Sequence, residues 1–153
     1  MSIKHIITDG TASAEVYEHG ATLTSWKVDG IEQIFVSEKA ILDGSKAIRG
    51  GIPLVFPHFG KGETSKLPQH GFARNSKWVV IDQSKKNQII LQLLPENVPE
   101  ELRSLWPNQF KLIYTVTLEG KALTTKLDVL NTENKNDGKA WEFTVLLHTY
   151  FKV

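Results

Sequence analysis

Two arginines and three histidines are the residues of this 153-residue chain best placed to do chemistry near neutral pH. Arg49 and Arg74 bracket the stretch RGGIPLVFPHFGKGETSKLPQHGFARN (residues 49–75), which holds five of the eleven glycines, three of the six prolines and two of the five histidines. A guanidinium grips phosphate through parallel N–H donors, and charge-assisted bonds of this kind contribute roughly 1.5–3 kcal/mol each. Both arginines adjoin turn-forming residues, Gly50-Gly51 and Asn75. The same two side chains could equally sit on the surface in separate ion pairs of little worth, and spacing alone leaves both readings open.

An imidazole with a pKa near 6.5 carries protons at neutral pH. His70 precedes Gly71, where the missing Cβ lets backbone approach a ligand. His58, between Pro57 and Phe59, could pack or line a cleft. His148 falls on the polar face of the last apolar segment, close to Tyr150 and Lys152, where it is either a working group or a solvated one. His5 and His19 sit in polar contexts and read as surface residues. The spacing of His58, His70 and His148 is not that of metal ligands, so no metal is expected.

These side chains need a scaffold. A connection as long as 49–75 is uncommon in a compact domain unless it is functional or disordered. Ile52, Leu54, Val55, Phe56, Phe59, Leu67 and Phe72 call for burial, which argues against disorder. An ordered, Gly-rich, cationic loop of this kind suits a small anionic polar ligand.

The flanking sequence reads mostly as strands. Residues 14–17 and 21–28 are separated by Gly20, and 33–36 follow an Asp29-Gly30 turn. Residues 77–81 and 88–94 flank a polar turn. In 110–118, Phe110, Leu112, Tyr114, Val116 and Leu118 alternate with polar residues, and Glu119-Gly120-Lys121 signals a hairpin into 123–130. After the turn of residues 134–139, residues 141–153 read as a last strand. Trp141, Phe143, Val145, Leu147 and Phe151 lie on one face; Glu142, Thr144, His148, Tyr150 and Lys152 lie on the other. One short helix is expected, capped by Asn97 with Pro99 in its first turn and Pro107 beyond its end. Many short strands with few helices predict an all-β antiparallel sandwich or barrel.

Composition sets the bounds. Hydrophobic residues make up 41% and charged residues 23%, with a formal charge of +1. That balance suits one folded domain and gives no reason to expect nucleic acid or a membrane surface. Without cysteine there is no disulfide framework. The N-terminus MSIKHIITDG lacks the apolar core of a signal peptide, which favours the cytosol.

RGGIPLVFPHFG, LPQHGFARNSKW and LHTYF together resemble the aldose 1-epimerase-like proteins, and within them the hexose-6-phosphate mutarotases, or glucose-6-phosphate 1-epimerases. HGATLTSWKVDG, LDGSKAIRGG and LWPNQFKLIYTV add to the likeness, which runs along essentially the whole chain. The resemblance implies an antiparallel β-sandwich of the galactose-mutarotase type. It implies interconversion of the α and β anomers of a hexose 6-phosphate, glucose 6-phosphate first, without cofactor or metal. His148 in LHTYF matches the family's catalytic histidine. Arg49, Gln69 and Arg74 match its substrate-binding positions, and His70 matches a histidine in the sugar site of related mutarotases.

The chain ends two residues after LHTYF, so its single domain, residues 1–153, is expected to cover the N-terminal half of the family pattern. The family's catalytic glutamate falls in the other half. Glu142 shares a face with His148 but lies six residues away, about 20 Å along a strand, and Glu63 is the other carboxylate near in sequence. A sandwich cut midway would expose apolar sheet face and unpaired edges, so association through an exposed sheet edge is expected. The alternative function is a truncated, non-catalytic phosphosugar- or carbohydrate-binding β-domain.

Overall fold

The computed structural model describes residues 2–62, 65–134, 136 and 138–153. Two four-stranded antiparallel sheets form the body. The first has the order β1 (Lys4–Asp9), β2 (Ala12–Tyr17), β3 (Leu23–Val28), β4 (Ile31–Glu32). A third, two-stranded sheet contains β5 (Leu54–Val55). The second large sheet has the order β6 (Val79–Asp82), β7 (Gln88–Leu93), β8 (Phe110–Glu119), β9 (Ala122–Asn131), and β10 (Leu146–Leu147) pairs antiparallel with β5.

The period-2 pattern explains the packing. In β8 the five apolar alternates, Phe110, Leu112, Tyr114, Val116 and Leu118, are all buried, and so are Ile89, Leu91 and Leu93 of β7. They face Ile7, Ala12, Ala14, Val16 and Leu23 from the first sheet, with β8 touching β1 and β2 across the core. Each such residue of Leu or Phe size contributes roughly 1.5–3 kcal/mol by leaving water. The hairpin expected at 119–121 forms, and the expected Asp29-Gly30 turn closes a second one. Glu119 pairs with Ala122 around Gly120-Lys121, and Val28 pairs with Ile31 around Asp29 (φ +51°) and Gly30 (φ +79°), a primed turn that matches strand twist.

Several expectations are corrected. Residues 4–9, not anticipated as a strand, form the edge strand β1, in which Ile7 alone is fully buried. Its pattern carries too little alternation to be seen without its partner β2. Residues 33–36 are not a strand. The Glu32 carboxylate takes the N–H groups of Trp26 (2.9 Å) and Ile34 (3.1 Å), a side chain standing in for ladder bonds. The helix is α1 (Glu100–Arg103), with Pro99 rather than Asn97 at its start; the Asn97 side chain turns back to accept the Leu94 N–H at 3.2 Å. His19 is buried, at 6% exposure, because Ser2 and residues 43–46 fold over it.

The last segment departs furthest from its expectation. Only Leu146–Leu147 pairs as regular strand. Its partner contains Pro53 and Pro57, which have no N–H to give, so half of the ladder cannot form. What remains is a row of single bonds: Thr144 N–H to Pro57 O (2.9 Å), His148 N–H to Pro53 O (3.0 Å) and Tyr150 N–H to Gly51 O (2.9 Å). The expected apolar face is only partly covered. Trp141 and Leu147 pack on the core, whereas Phe143 (42%), Val145 (45%) and Phe151 (63%) are exposed. No helix among the described residues is long and apolar enough to cross a membrane.

Candidate active site

The 49–75 connection is ordered where described and is bolted to the sandwich. Ile52, Leu54, Val55, Phe56, Leu67 and Phe72 are buried as their types demand; Phe59 is exposed, its ring resting 5.0 Å from that of His70. The Phe72 and Ala73 N–H groups both reach Phe56 O, at 3.0 and 3.3 Å. This approach leaves no room for a side chain at residue 71. Gly71 has φ +72°, and a Cβ there would strike the Phe56 carbonyl.

Arg74 sits on a 3₁₀ turn, Ala73–Asn75, held from beneath. The buried Trp78 indole donates to Ala73 O (2.9 Å) and the Ser76 hydroxyl to Phe72 O (2.9 Å). One guanidinium nitrogen, Nη2, donates to Gln69 O at 3.0 Å; Nε is buried with no partner. Burial pulls the guanidinium below its usual range, with Tyr150 opposing. Arg49 lies far away in sequence yet lines the same cavity.

That cavity, about 540 Å³, is bounded by Phe35, Lys46, Arg49, Pro53, Arg74 and Tyr150, among others. Its described lining includes three cations and no carboxylate. None of the ion pairs among the described residues involves Arg49, Arg74 or Lys46. Among the described residues, then, neither arginine sits in an ion pair. Lys46 and Arg49 are exposed and Arg74 is half-buried, so all three can meet an anion that enters from solvent. Lys46 was not singled out from sequence; its place between the Gly44-Ser45 turn and Arg49 was the available signal.

His148 lies beside this cavity. Its ring stacks on that of Tyr150, centres 4.7 Å apart and planes 16° from parallel, and meets the edge of His70 at 6.0 Å. His70 occupies the left-handed region (φ +70°), a conformation that non-glycine residues adopt at a cost and that is often found at working sites. A two-way latch holds it there: its N–H donates to Gly60 O (2.7 Å), and its Nδ1 accepts the Gly60 N–H (3.1 Å). Burial, then the charges of Arg74, His148 and His58, push the His70 pKa down. Because Nδ1 accepts, the neutral ring carries its proton on Nε2, and the Gln69 side-chain amide 3.4 Å away must turn its oxygen toward that proton to accept it.

The structure therefore gathers His148, His70, Gln69 and Arg74 into one neighbourhood and places Arg49 on the cavity that Arg74 lines. Glu142 is not part of it. It lines a separate opening of about 600 Å³ with His58, Lys66, Trp106 and Phe143, where Lys66 is the one lysine or arginine among the described lining. Glu63, the other carboxylate considered, lies outside the described residues. Among the described residues, no group of three His, Cys, Asp or Glu could hold a metal ion.

The family model described as aldose 1-epimerase matches residues 4–153. The chain belongs to the aldose 1-epimerase family. Among curated members it is 39% identical over 152 residues to a Cenchrus ciliaris protein named "Putative glucose-6-phosphate 1-epimerase", covering 92% of this chain and 44% of that one. An Escherichia coli K12 protein of the same name is 34% identical over 135 residues, covering 88% and 43%. The chain thus spans less than half the length of these family members. Among solved structures, the Slr1438 protein from Synechocystis superposes with a TM-score of 0.75 at 26% identity, over 86% of this chain and 49% of that one. The mutarotase YeaD from Salmonella typhimurium, itself so named provisionally, gives 0.71 at 29% identity, over 84% and 44%. The fold of this family member is the antiparallel sandwich of the galactose-mutarotase type.

Proposed function

We propose that this chain carries the phosphosugar site of an enzyme that interconverts the α and β anomers of a hexose 6-phosphate, with glucose 6-phosphate as the substrate. One observation carries the reading. Three cations with no carboxylate partner among the described residues, Arg49, Arg74 and Lys46, line one cavity whose wall, Tyr150, is stacked on His148. The cations suit the 6-phosphate, and family membership supports chemistry at the anomeric carbon.

Anomer exchange moves one proton off the anomeric hydroxyl and one onto the ring oxygen. The C1–O5 bond breaks, the aldehyde carbon rotates, and the ring closes on the other face. His148 would deliver the proton to the ring oxygen; a positioned acid or base of this kind contributes roughly 10²–10⁴-fold. His70, held neutral, would offer its Nε2 proton to a sugar hydroxyl, with Gln69 beside it. Arg49 and Arg74 would bind the phosphate and so fix which end of the sugar faces the imidazole. No cofactor is needed for these steps, and a sugar-phosphate substrate suits a cytosolic protein.

A second reading has its own observation. Among the described residues no carboxylate lines the cavity, so its described walls offer no carboxylate to take the anomeric proton. A chain with the phosphate grip but no base would bind phosphosugars without turning them over. Exchange NMR of the two anomers separates the readings. Faster exchange of glucose 6-phosphate than of glucose supports the enzyme, whereas tight binding without acceleration supports the binder. Neither binding nor acceleration would contradict both.

A further inference from the structure

A histidine that works as acid or base is usually held by a hydrogen bond to its second ring nitrogen. Among the described residues no such bond reaches His148. What touches its ring is the face of Tyr150, at 4.7 Å and 16°, and the edge of His70, at 6.0 Å and 68°. The tyrosine is itself anchored on both sides of its backbone. Its N–H donates to Gly51 O (2.9 Å) and its carbonyl accepts the Phe35 N–H (2.9 Å). His148 is fixed two residues earlier by its N–H bond to Pro53 O. The two rings therefore project from one tethered segment and touch across a gap that the backbone sets.

We infer that Tyr150 is the positioning residue for His148: a flat contact, in place of a hydrogen bond, holds the imidazole plane, and the same ring walls the cavity of Arg49 and Arg74. The inference rests on the reading of His148 as the proton carrier. It assigns the aromatic plane, and not the hydroxyl, the working part. Phenylalanine would keep the plane; leucine would keep bulk but lose it. Tyr150 is 40% exposed, so neither change removes core packing. The arrangement links the two ends of the substrate, since the side chain that bounds the anion cavity also fixes the group that serves the anomeric centre.

The test is NMR of the His148 side chain in the 153-residue protein, read beside anomer exchange of glucose 6-phosphate. In the native chain and in Tyr150→Phe, the His148 ring protons are expected upfield, with cross-peaks to residue 150. In Tyr150→Leu the upfield shift and the cross-peaks disappear. Turnover should follow: kcat within a few-fold of native in Tyr150→Phe, and down by about 10²-fold in Tyr150→Leu, as for a group misplaced by an ångström, with KM moving less. Unchanged His148 ring signals in Tyr150→Leu, or native kcat in that variant, would overturn the inference. If the native chain accelerates no exchange, the enzyme reading fails separately, and the ring signals alone decide whether Tyr150 holds His148.

Discussion

His70 and His148 meet edge to face, 6.0 Å between ring centres, although one belongs to the long 49–75 connection and the other to the C-terminal segment. The meeting depends on two backbone seams. Gly71 lets residues 71–73 dock on Phe56, and Pro53 receives the His148 N–H. One seam sets the height of His70 and the other that of His148. The pair is thus a consequence of how the connection is pinned, and it is where a small backbone change should be felt first.

Gly71→Ala tests that pinning. The residue would have to hold φ +72° with its Cβ against the Phe56 carbonyl. A left-handed L-residue costs roughly 1–2 kcal/mol, and relief of the contact adds to it, so a loss of at least about 2 kcal/mol is expected in urea unfolding. An unchanged midpoint would show that the seam is loose.

Arg74→Ala separates binding from folding. Among the described residues the side chain has no carboxylate partner, so its removal should cost little stability. A charge-assisted contact worth roughly 1.5–3 kcal/mol predicts glucose 6-phosphate binding weakened by about ten- to hundredfold, with binding of glucose unaltered. Chemical-shift titration with both sugars reads this directly. Equal discrimination between the two sugars in native and variant protein would remove Arg74 from the phosphate grip.

Acid sensitivity follows from His19 and His70. Burial is the first cause lowering both pKa values. In His70 the charges of Arg74, His148 and His58 add to it; in His19 the Lys46 backbone and Asp43 oppose it. The folded state favours both rings neutral, while the unfolded chain takes up protons as the pH falls through 6.5. The stability they contribute is complete above pH 6.5 and is lost as the pH falls toward their folded values. Asp29 and Asp82 are also shifted down, but from 3.8, so their contribution is lost only in more acid solution. The melting temperature should therefore fall between pH 7 and pH 5, and less steeply in His19→Asn. A flat native profile over that range would contradict the assignment.

Much of the scaffold was legible because β8 spells out its own face. Five apolar residues at period 2 are enough to predict both strand and burial, and Gly120 marks the hairpin that follows. The segment 141–153 has nearly as clear a pattern and yet forms only two residues of regular strand. Its ladder is limited by prolines in a partner almost a hundred residues earlier, a fact no local window contains. Asn97 failed as a helix cap for a related reason, since Leu94 competed for its side chain. At the site, the resemblance carried by RGG, PQHG, ARN and LHTYF pointed to the residues that the structure gathers. It did not reveal the stack on Tyr150, the addition of Lys46 or the burial of His19, because these depend on distant chain folding into contact.

The exposed apolar residues make a further prediction. Phe143, Val145, Leu146 and Phe151 lie close in sequence, and all are at least 39% exposed. Exposed apolar side chains gathered along one segment favour association. Sedimentation of the 153-residue protein should show concentration-dependent oligomers, reduced in Phe151→Asp. A monodisperse monomer with a cooperative melt would count against it.

Two-dimensional exchange NMR of the glucose 6-phosphate anomers, with the native chain and with His148→Ala, tests His148 as the proton carrier most directly. The account predicts acceleration by the native protein that is lost in the folded variant, while phosphate binding at Arg49 and Arg74 persists. Equal acceleration by both proteins would contradict the assignment of His148 as the proton carrier. No acceleration by either, with glucose 6-phosphate still bound, would leave this chain a phosphosugar binder.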